Sequence, residues 1–551
     1  MNNTQHKPMY LYGAAVQGIQ GFIFQTNRLR EIVGASELVE RICTGLFAQV
    51  LDAAKKAVNP SGEIKKLEND ENAILNAAGN IKYIFTNEDV CRKVVRIFPK
   101  TVMEFAPGIT ISQSVVRFDP EDNEGFGKAV QTLETNLRTQ RNRLMRDLSL
   151  GLMGILRSRE AGLPVTHIKA YKEKTEYLDS ATYHKLYDDK GELKETFNVL
   201  CRKAFGDAID SDGLYRQHRL PIDIKDMTHH NDWVAIIHAD GNGLGQIVQK
   251  IGKDKDKFKK FSKLLDEATM LAAQLAFQEV VMKDLPKYET IPMRPIVLSG
   301  DDHTVICRGD IAIPYTKAFL EFYEKVTQEK LKGMLKGDGE PVFKDSSDRL
   351  TACAGIAFVK SSFPFHFGYQ LAEALCDRAK KDTKAIFNAG IGNLPASCLM
   401  FHKVQDSFVV DYRDIVAREL TPQPDISFEF GPYYIKDVPQ EKGKRWNIEK
   451  LLESGSLLNK EEGNAVKSGL RNWLTLLHEN PGMALQKLAR MQAITTDSKL
   501  KEMIRNVTET SVRTLTIETA DPGEPMTVSV YPVYDILAVN SITNQTTKIK
   551  E

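Results

Sequence analysis

Residues 233–248, WVAIIHADGNGLGQIV, and residues 296–307, IVLSGDDHTVIC, decide the fold of this chain. The first reads as an apolar strand over Trp233–Ala239, a turn of Asp, Gly and Asn, and the start of a helix. The second is two apolar runs around a small-residue turn, which is a hairpin signal. Between them, residues 258–285 carry apolar side chains at three- and four-residue spacing, such as Leu264, Leu265, Ala268, Leu271 and Leu275, the helical period. A helix over about Ile313–Leu335, the strand LTACAGIAFV (350–359), a helix opening FGYQLAEALCDRAK (367–380) and a last strand at ASCLMFHKV (396–404) follow. The order β-α-α-β-β-α-β-α predicts a ferredoxin-like antiparallel sheet with helices on one face, the layout of a palm.

The same order is legible upstream. YLYGAAVQGIQGFIF (10–24) matches the strand-turn-helix, ILNAAGNIKYIF (74–85) the hairpin, GITISQSVVRF (108–118) the next strand, and FGKAVQTLETNL (126–137) the helix opening FG. Ala15 then stands opposite Asp240, and Asn80 and Ile81 opposite Asp301 and Asp302. The predicted fold class is α+β: two tandem ferredoxin-like palm domains, the first (9–150) degenerate and the second (231–420) intact, plus an all-α C-terminal domain. Residues 151–230 are polar and irregular and read as a connector or insert. Residues 421–551 turn helical in IEKLLESGSLL, AVKSGLRNWLTLLHEN and PGMALQKLARMQAI, and form that C-terminal domain.

Asp240 ends one strand and Asp301 and Asp302 occupy the turn of a hairpin whose strand is its neighbour in a palm sheet, so three carboxylates are expected at one edge. Clustered carboxylates repel, and binding hard divalent cations, Mg²⁺ or Mn²⁺, relieves the repulsion. Two such ions can activate a 3′-hydroxyl and stabilise a pyrophosphate leaving group, with ATP or another nucleoside triphosphate as substrate. The amides of Gly241, Asn242 and Gly243, at a helix N-terminus, are candidates to cradle the triphosphate, and Lys380 to neutralise its charge. Ser299 and Gly300 complete the hairpin turn of the nucleotide site. DGNGLG also half-resembles a calcium loop, but Leu244 sits where a ligand belongs and Ile251 where the closing Glu should be. Neither motif alone is specific; the pair in the proper order is.

Bulk composition narrows the class. The 551 residues are 42% hydrophobic and 27% charged, and 74 Lys plus Arg balance 73 Asp plus Glu, so overall charge gives no argument for nucleic acid. Basic helices at Arg28, Arg30 and Arg41 and over residues 140–160 are local candidates for phosphate or RNA contact, a solvated amphipathic face being the other reading. The seven cysteines are scattered with no CxxC pair, which predicts buried thiols in a reducing compartment. No stretch reads as a signal peptide or a membrane span, and the expectation is a cytoplasmic protein without a membrane partner.

GIQGFIFQTNRLREIVGASELVERI (18–42) resembles the opening of the first palm in the large subunit of type III CRISPR effector complexes. HADGNGLG and LSGDD resemble the second palm of that family, where the usual loop reads GGDD, and the tail ending YPVYDILAV is similar to its C-terminal domain. The resemblance implies a polymerase-cyclase that converts ATP into cyclic oligoadenylates for antiviral defence, with Asp240, Asp301 and Asp302 holding two metal ions and Ser299 replacing the first loop glycine. It also implies guide and target RNA and other effector-complex subunits as partners. The chain departs from the family in lacking an N-terminal HD nuclease dyad, in lacking zinc cysteines over residues 162–186, and in carrying Asn242 at an often acidic position. Those departures leave open a cyclic oligoadenylate, a cyclic dinucleotide or an AMP conjugate as product. A catalytically silent RNA-binding scaffold subunit is the alternative. A diguanylate cyclase relative is a third reading, opposed by its different GG[DE]EF loop and by the two tandem palms.

Overall fold

The structure is a computed structural model and describes residues 7–61, 65–77, 79–122, 124–142, 153–171, 174–195, 199–206, 219–228, 233–287, 290–337, 340–341, 348–405, 411–438, 441, 444–508, 511–515 and 526–543. The first palm runs β1 (Met9–Gln17), a short α1 (Ile19–Ile23), α2 (Leu29–Arg41), α3 (Phe47–Val58), the hairpin β2 (Ala73–Ala77) and β3 (Asn80–Phe85), α4 (Glu88–Phe105), β4 (Thr110–Phe118) and α5 (Gly125–Arg141). Its sheet has the antiparallel order β2-β3-β1-β4. A hairpin of β5 (Val165–Tyr171) and β6 (Lys174–Asp179) follows, then α6 (Ser180–Leu186) and α7 (Val199–Phe205).

The second palm repeats the plan: β7 (Trp233–Gly241), α8 (Leu244–Ile251), α9 (Lys255–Val280), β8 (Met293–Ser299), β9 (Asp302–Arg308), α10 (Gly309–Lys330), β10 (Ala352–Lys360), α11 (Phe365–Asn388) and β11 (Cys398–Lys403). Its sheet reads β8-β9-β7-β10, the order of the first palm, and continues with β11, parallel to β10. The repeat reaches the backbone angles. Gly18 and Gly243, aligned ahead of α1 and α8, have φ of 66° and 71°, and Gly79 and Gly300, aligned in the two hairpin turns, have 74° and 65°. A left-handed residue is needed at each turn, and glycine adopts it without a Cβ penalty.

Helices cover both faces of the second sheet, and the expectation of one covered face is corrected. Adjacent strand residues point to opposite faces. His303, paired with Ala239, bonds the hydroxyl of Tyr315 on α10, whereas His238 packs its ring against Tyr369 on α11. The cause is visible in β7, whose buried Val234, Ala235, Ile236 and Ile237 run without alternation, as strands covered on both faces do. The helix α11 comes so near the sheet that a Cβ on Gly355 would lie 1.9 Å from the carbonyl oxygen of Ala372.

The palms meet where α1 touches the start of α11. Phe24 stacks on Tyr369 with centroids 4.1 Å apart, Asn27 accepts from the amide of Phe365 at 2.8 Å, and Gln20 Nε2 donates to Glu373 Oε1 at 2.8 Å. The C-terminal region is helical as expected: α12 (Ile448–Leu457), α13 (Gly463–Glu479), α14 (Pro481–Ile494), α15 (Ser498–Thr508) and α16 (Val533–Thr543). Periodicity missed its strands. β12 (Ile426–Ser427), β14 (Ser511–Leu515) and β15 (Met526–Val530) form a small sheet ordered β12-β15-β14, and β13 (Tyr433–Tyr434) pairs with β11 of the palm. So the region is not wholly α.

All seven cysteines are buried free thiols. Among the described residues no helix is long and apolar enough to cross a membrane. Where relatives were expected to carry zinc cysteines, an aromatic stack joins β5 to α6: His167 on Tyr183 at 3.7 Å and Tyr183 on Tyr187 at 5.1 Å. Arg28 pairs with Glu31, Glu160 and Glu176, Arg30 donates to the carbonyl of Lys194, and Arg41 lies over the Phe105 ring. These three arginines are therefore engaged within the protein. Much of the basic stretch 140–160 lies outside the described residues.

Candidate active site

Three elements carry the acids. The strand β7 delivers Asp240 at its end, and the β8–β9 turn delivers Asp301 with Asp302 opening β9. That turn is tied from beneath: the Gly300 amide donates to Asp266 Oδ1 at 2.9 Å, and Thr269 Oγ1 donates to the Gly300 carbonyl at 2.6 Å. Both ties come from α9, three residues apart and thus on one helix face.

Asp240 and Asp301 are brought together. Burial pushes Asp301 up, and the hydrogen bond to Asp240 with the charges of Asp240 and Asp302 pushes it further, well above the usual carboxylate range. Burial also pushes Asp240 up, but the hydrogen bond from Asp301 and the Lys380 ammonium outweigh it and hold Asp240 below its ordinary value. The pair therefore shares a proton, with Asp301 donating. Lys380, on α11, donates to Asp240 Oδ2 as well. Gly241 makes room for this pair: a Cβ there would lie 3.1 Å from Asp301 Oδ2 and 2.6 Å from Leu244 Cδ1.

Asp302 goes elsewhere. It lies on the same sheet face as Asp240, yet its Oδ1 stands 3.4 Å from His238 Nδ1 and 3.5 Å from Thr304 Oγ1. Burial pushes its carboxyl up to about 6; His238 works against that shift, and the charges of Asp240 and Glu373 add to it. Among the described residues no three His, Cys, Asp or Glu side chains close on one point. The convergence expected of all three aspartates is thus a pair plus a neighbour, Asp302, that lies beside His238 and Thr304, the His238 Nδ1 itself bonding Thr304 Oγ1 at 3.1 Å.

A cavity of about 660 Å³ opens in front of the pair, lined by Asp240, Asp301, the Gly241–Gln246 turn and start of α8, and Asp377, Lys380, Lys381 and Lys384 from α11. The first-turn amides of a helix have no intrahelical partner and attract anions, which leaves Leu244 and Gly245 available. Asn242 is not among them. Its amide donates to the Thr351 carbonyl at 2.8 Å, its side chain donates to Thr351 Oγ1 at 3.0 Å, and it is buried. Ser299 is buried in the hairpin, and both backbone groups of Gly300 are taken by α9, so these two shape the turn and do not line the cavity.

His238, Glu373, Asp377, Lys381, Lys384 and the anchors Asp266 and Thr269 were not singled out in the sequence. His238 was legible, since it precedes Asp240 by two on one strand and must share its face. Glu373, Asp377, Lys380 and Lys384 recur at helical spacing and mark one stripe of α11. Asp266 carries no local signal.

The stretch from β7 through almost all of α11, which holds every acid above, has a counterpart among known families. Residues 233–387 match the Cas10/Cmr2 second palm domain. The Cas10/Cmr2-like palm of this chain therefore contains Asp240, Asp301, Asp302 and Lys380. Beyond that segment the likeness is structural. A Csm1–Csm4 cassette in complex with pppApA superposes over 98% of this chain and 70% of its own with a TM-score of 0.54 at 12% identity. A cassette in complex with cA4 gives 0.53 at 12% identity over the same shares, and Csm1 in T. onnurineus gives 0.50 at 13% identity over 98% and 69%. At such identity the shared property is the fold. No curated protein sequence matches.

Proposed function

We propose that this chain is a metal-dependent nucleotidyltransferase that joins ATP into an oligoadenylate, linear or cyclic, as a second messenger in CRISPR-type antiviral defence. The observation that carries the proposal is the Asp240–Asp301 pair, with Lys380 beside it, at the mouth of a lysine-lined cavity. A carboxylate pair that must share a proton is a hard-oxygen donor set that a divalent cation relieves, so the residues fit Mg²⁺ or Mn²⁺. Asp240 and Asp301 would hold such ions, joined by Asp302. When bound, the ions supply charge neutralisation at the α-phosphate and a more acidic 3′-hydroxyl.

The chain's own groups do the rest. Lys380, Lys381, Lys384 and the first-turn amides of α8 bind the β- and γ-phosphates. The 3′-hydroxyl oxygen of one nucleotide forms the new bond to the α-phosphorus of the next. The bond from that phosphorus to the bridging oxygen of the β-phosphate breaks, the hydroxyl proton passes to solvent, and pyrophosphate leaves among the lysines. The first palm has Ala15, Asn80 and Ile81 at the equivalent positions and supports no such chemistry. Its role is to complete the nucleotide pocket with the second palm. Guide and target RNA and other effector subunits are the proposed partners, a reading supported by structural relatives that are Csm1–Csm4 cassettes.

Mass spectrometry of products after incubation with all four nucleoside triphosphates and Mn²⁺ tests the proposal, with an Asp301→Ala, Asp302→Ala double variant as control. A phosphodiester product lost in the double variant is the expected result. A second reading, a scaffold that binds ATP without turnover, is favoured by the placement of Asp302 beside His238 and Thr304, away from the Asp240–Asp301 pair. ATP retention with no pyrophosphate, even with target RNA present, would select it.

A further inference from the structure

The residue Lys203 on α7 belongs to neither palm, yet its ammonium is paired with a carboxylate of each. Its Nζ donates to Glu40 Oε1 of α2 at 2.7 Å and lies 4.0 Å from Asp266 Oδ2 of α9. The other oxygen of Asp266 accepts the Gly300 amide in the turn that presents Asp301 and Asp302. One chain of contacts, Glu40 to Lys203 to Asp266 to Gly300, therefore runs from the silent palm through the insert to the acidic turn. The Glu40 and Lys203 side chains are only 12% and 19% exposed, so neither charge is freely solvated. The helix α7 is fixed on α9 independently of them: Gln274 Nε2 donates to the Lys203 carbonyl at 3.0 Å, and Phe205 packs on Phe277 at 4.3 Å. The ammonium is thus held over Asp266 by its own helix and steered by Glu40.

We infer that Asp266 is a positioning residue for the acidic turn, and that the first palm sets its position through Glu40 and Lys203. This rests on the acidic turn being the cation-binding element proposed above. The physical reason is geometric. A two-residue turn whose carboxylates repel opens outward unless its backbone is held, and Asp266 with Thr269 holds both polar groups of Gly300. The Lys203 ammonium, 4.0 Å from the other Asp266 oxygen, attracts that oxygen and so favours the carboxylate orientation that accepts the amide. A degenerate palm then keeps a use that needs no carboxylate at Ala15, Asn80 or Ile81.

Hydrogen–deuterium exchange of residues 296–307 and Mn²⁺ binding followed by electron paramagnetic resonance test this on the full chain. In Asp266→Ala the turn amides are expected to exchange faster, and half-saturation by Mn²⁺ to shift upward about tenfold, the usual scale for removing a group that orients metal ligands. Lys203→Met and Glu40→Gln should move both readouts in the same direction by less. The double variant should be no worse than Lys203→Met alone, because the two act in one chain. Asp266→Asn keeps an oxygen for the Gly300 amide and loses only the charge facing Lys203, so it should resemble Lys203→Met and serves if the alanine variant does not fold. Unchanged exchange in the turn, or additive effects of Glu40→Gln and Lys203→Met, overturns the inference. A wild-type chain that binds no Mn²⁺ removes the functional reading, while the exchange comparison still decides the role of Asp266.

Discussion

Lys380 Nζ bonds Asp240 Oδ2 across 140 residues of chain, joining the last turns of α11 to the end of β7. The ammonium neutralises the carboxylate that the strand thrusts against Asp301, and it stands at the edge of the cavity that other lysines line. A nucleotide and its cations would compete for the same carboxylate and release Lys380 toward phosphate.

Lys380→Ala is therefore expected to cut product formation by about 10²-fold, the scale for losing one oriented group at a site of developing charge. Lys380→Arg should recover part of the loss. Pyrophosphate release at saturating and limiting ATP is the measurement. An equal fall at saturating and limiting ATP would mean the lysine acts in the transition state, and a fall confined to limiting ATP that it serves binding alone; unchanged rates would exclude it from the site.

The shared proton gives a sign for pH dependence. Asp301 holds its proton more tightly folded than unfolded, because its folded pKa lies above the ordinary value. The stability it contributes is present at acid pH and is lost as pH climbs from the ordinary carboxylate pKa through the raised one. Asp302, pushed up to about 6, loses its share in the same direction between the ordinary value and pH 6. Asn at position 301 imitates the protonated acid, since its amide still donates to Asp240. Asp301→Asn should therefore stabilise the metal-free protein at pH 7.5 by about 0.5–2 kcal/mol, a common gain from relieving a functional site. It should also abolish any Mg²⁺-dependent rise in melting temperature. Thermal melts with EDTA and with Mg²⁺ check both.

The palms were legible because strand runs and helical periods survive in both halves even where the acids do not. Ala15 carries no carboxylate, but Gly18 supplies the left-handed turn and Phe22 to Phe24 the buried end of the short helix. The acids of the second palm were legible for a similar reason, sitting at strand ends that the periodicity locates. What the sequence hid was side-chain direction. Nothing in HADGNGLG says that Asn242 turns inward onto Thr351, or that the proton-sharing partner of Asp240 is Asp301 while Asp302 lies beside His238 and Thr304. Of the four C-terminal strands, β12 was hidden because its pairing, Ile426 with Ser529, depends on chain segments about a hundred residues apart.

Asn242 separates a buried structural role from a metal-binding one. Its Nδ2 donates to Thr351 Oγ1, which in turn donates to the Pro395 carbonyl at 2.7 Å. An aspartate at this position faces an oxygen that has already given its proton away. Asn242→Asp is expected to destabilise the fold by about 1–3 kcal/mol, the cost of an unmet buried polar group. It should also add no cation site. Urea denaturation measures the first, and Mn²⁺ stoichiometry by calorimetry the second; an extra equivalent of bound metal would show that the side chain can reach the cavity.

Phe24 gives the test of whether the first palm matters to the second. The ring is buried, 4.1 Å from Tyr369 and 5.2 Å from Phe365, and Tyr369 leads the stripe of α11 that continues through Glu373 to Lys380. Truncation to alanine leaves a cavity at the joint and should cost about 3–5 kcal/mol. The Phe24→Leu variant keeps much of the volume, loses the stacking, and should cost less. If α11 depends on that joint for its position, Phe24→Leu also lowers product formation in a fully folded protein, although the residue stands in the palm that has Ala15, Asn80 and Ile81 at the positions of the aspartates. Melting curves establish that the leucine variant is folded, and turnover by the folded fraction then separates positioning from stability. Full turnover in Phe24→Leu would make the joint a matter of folding alone.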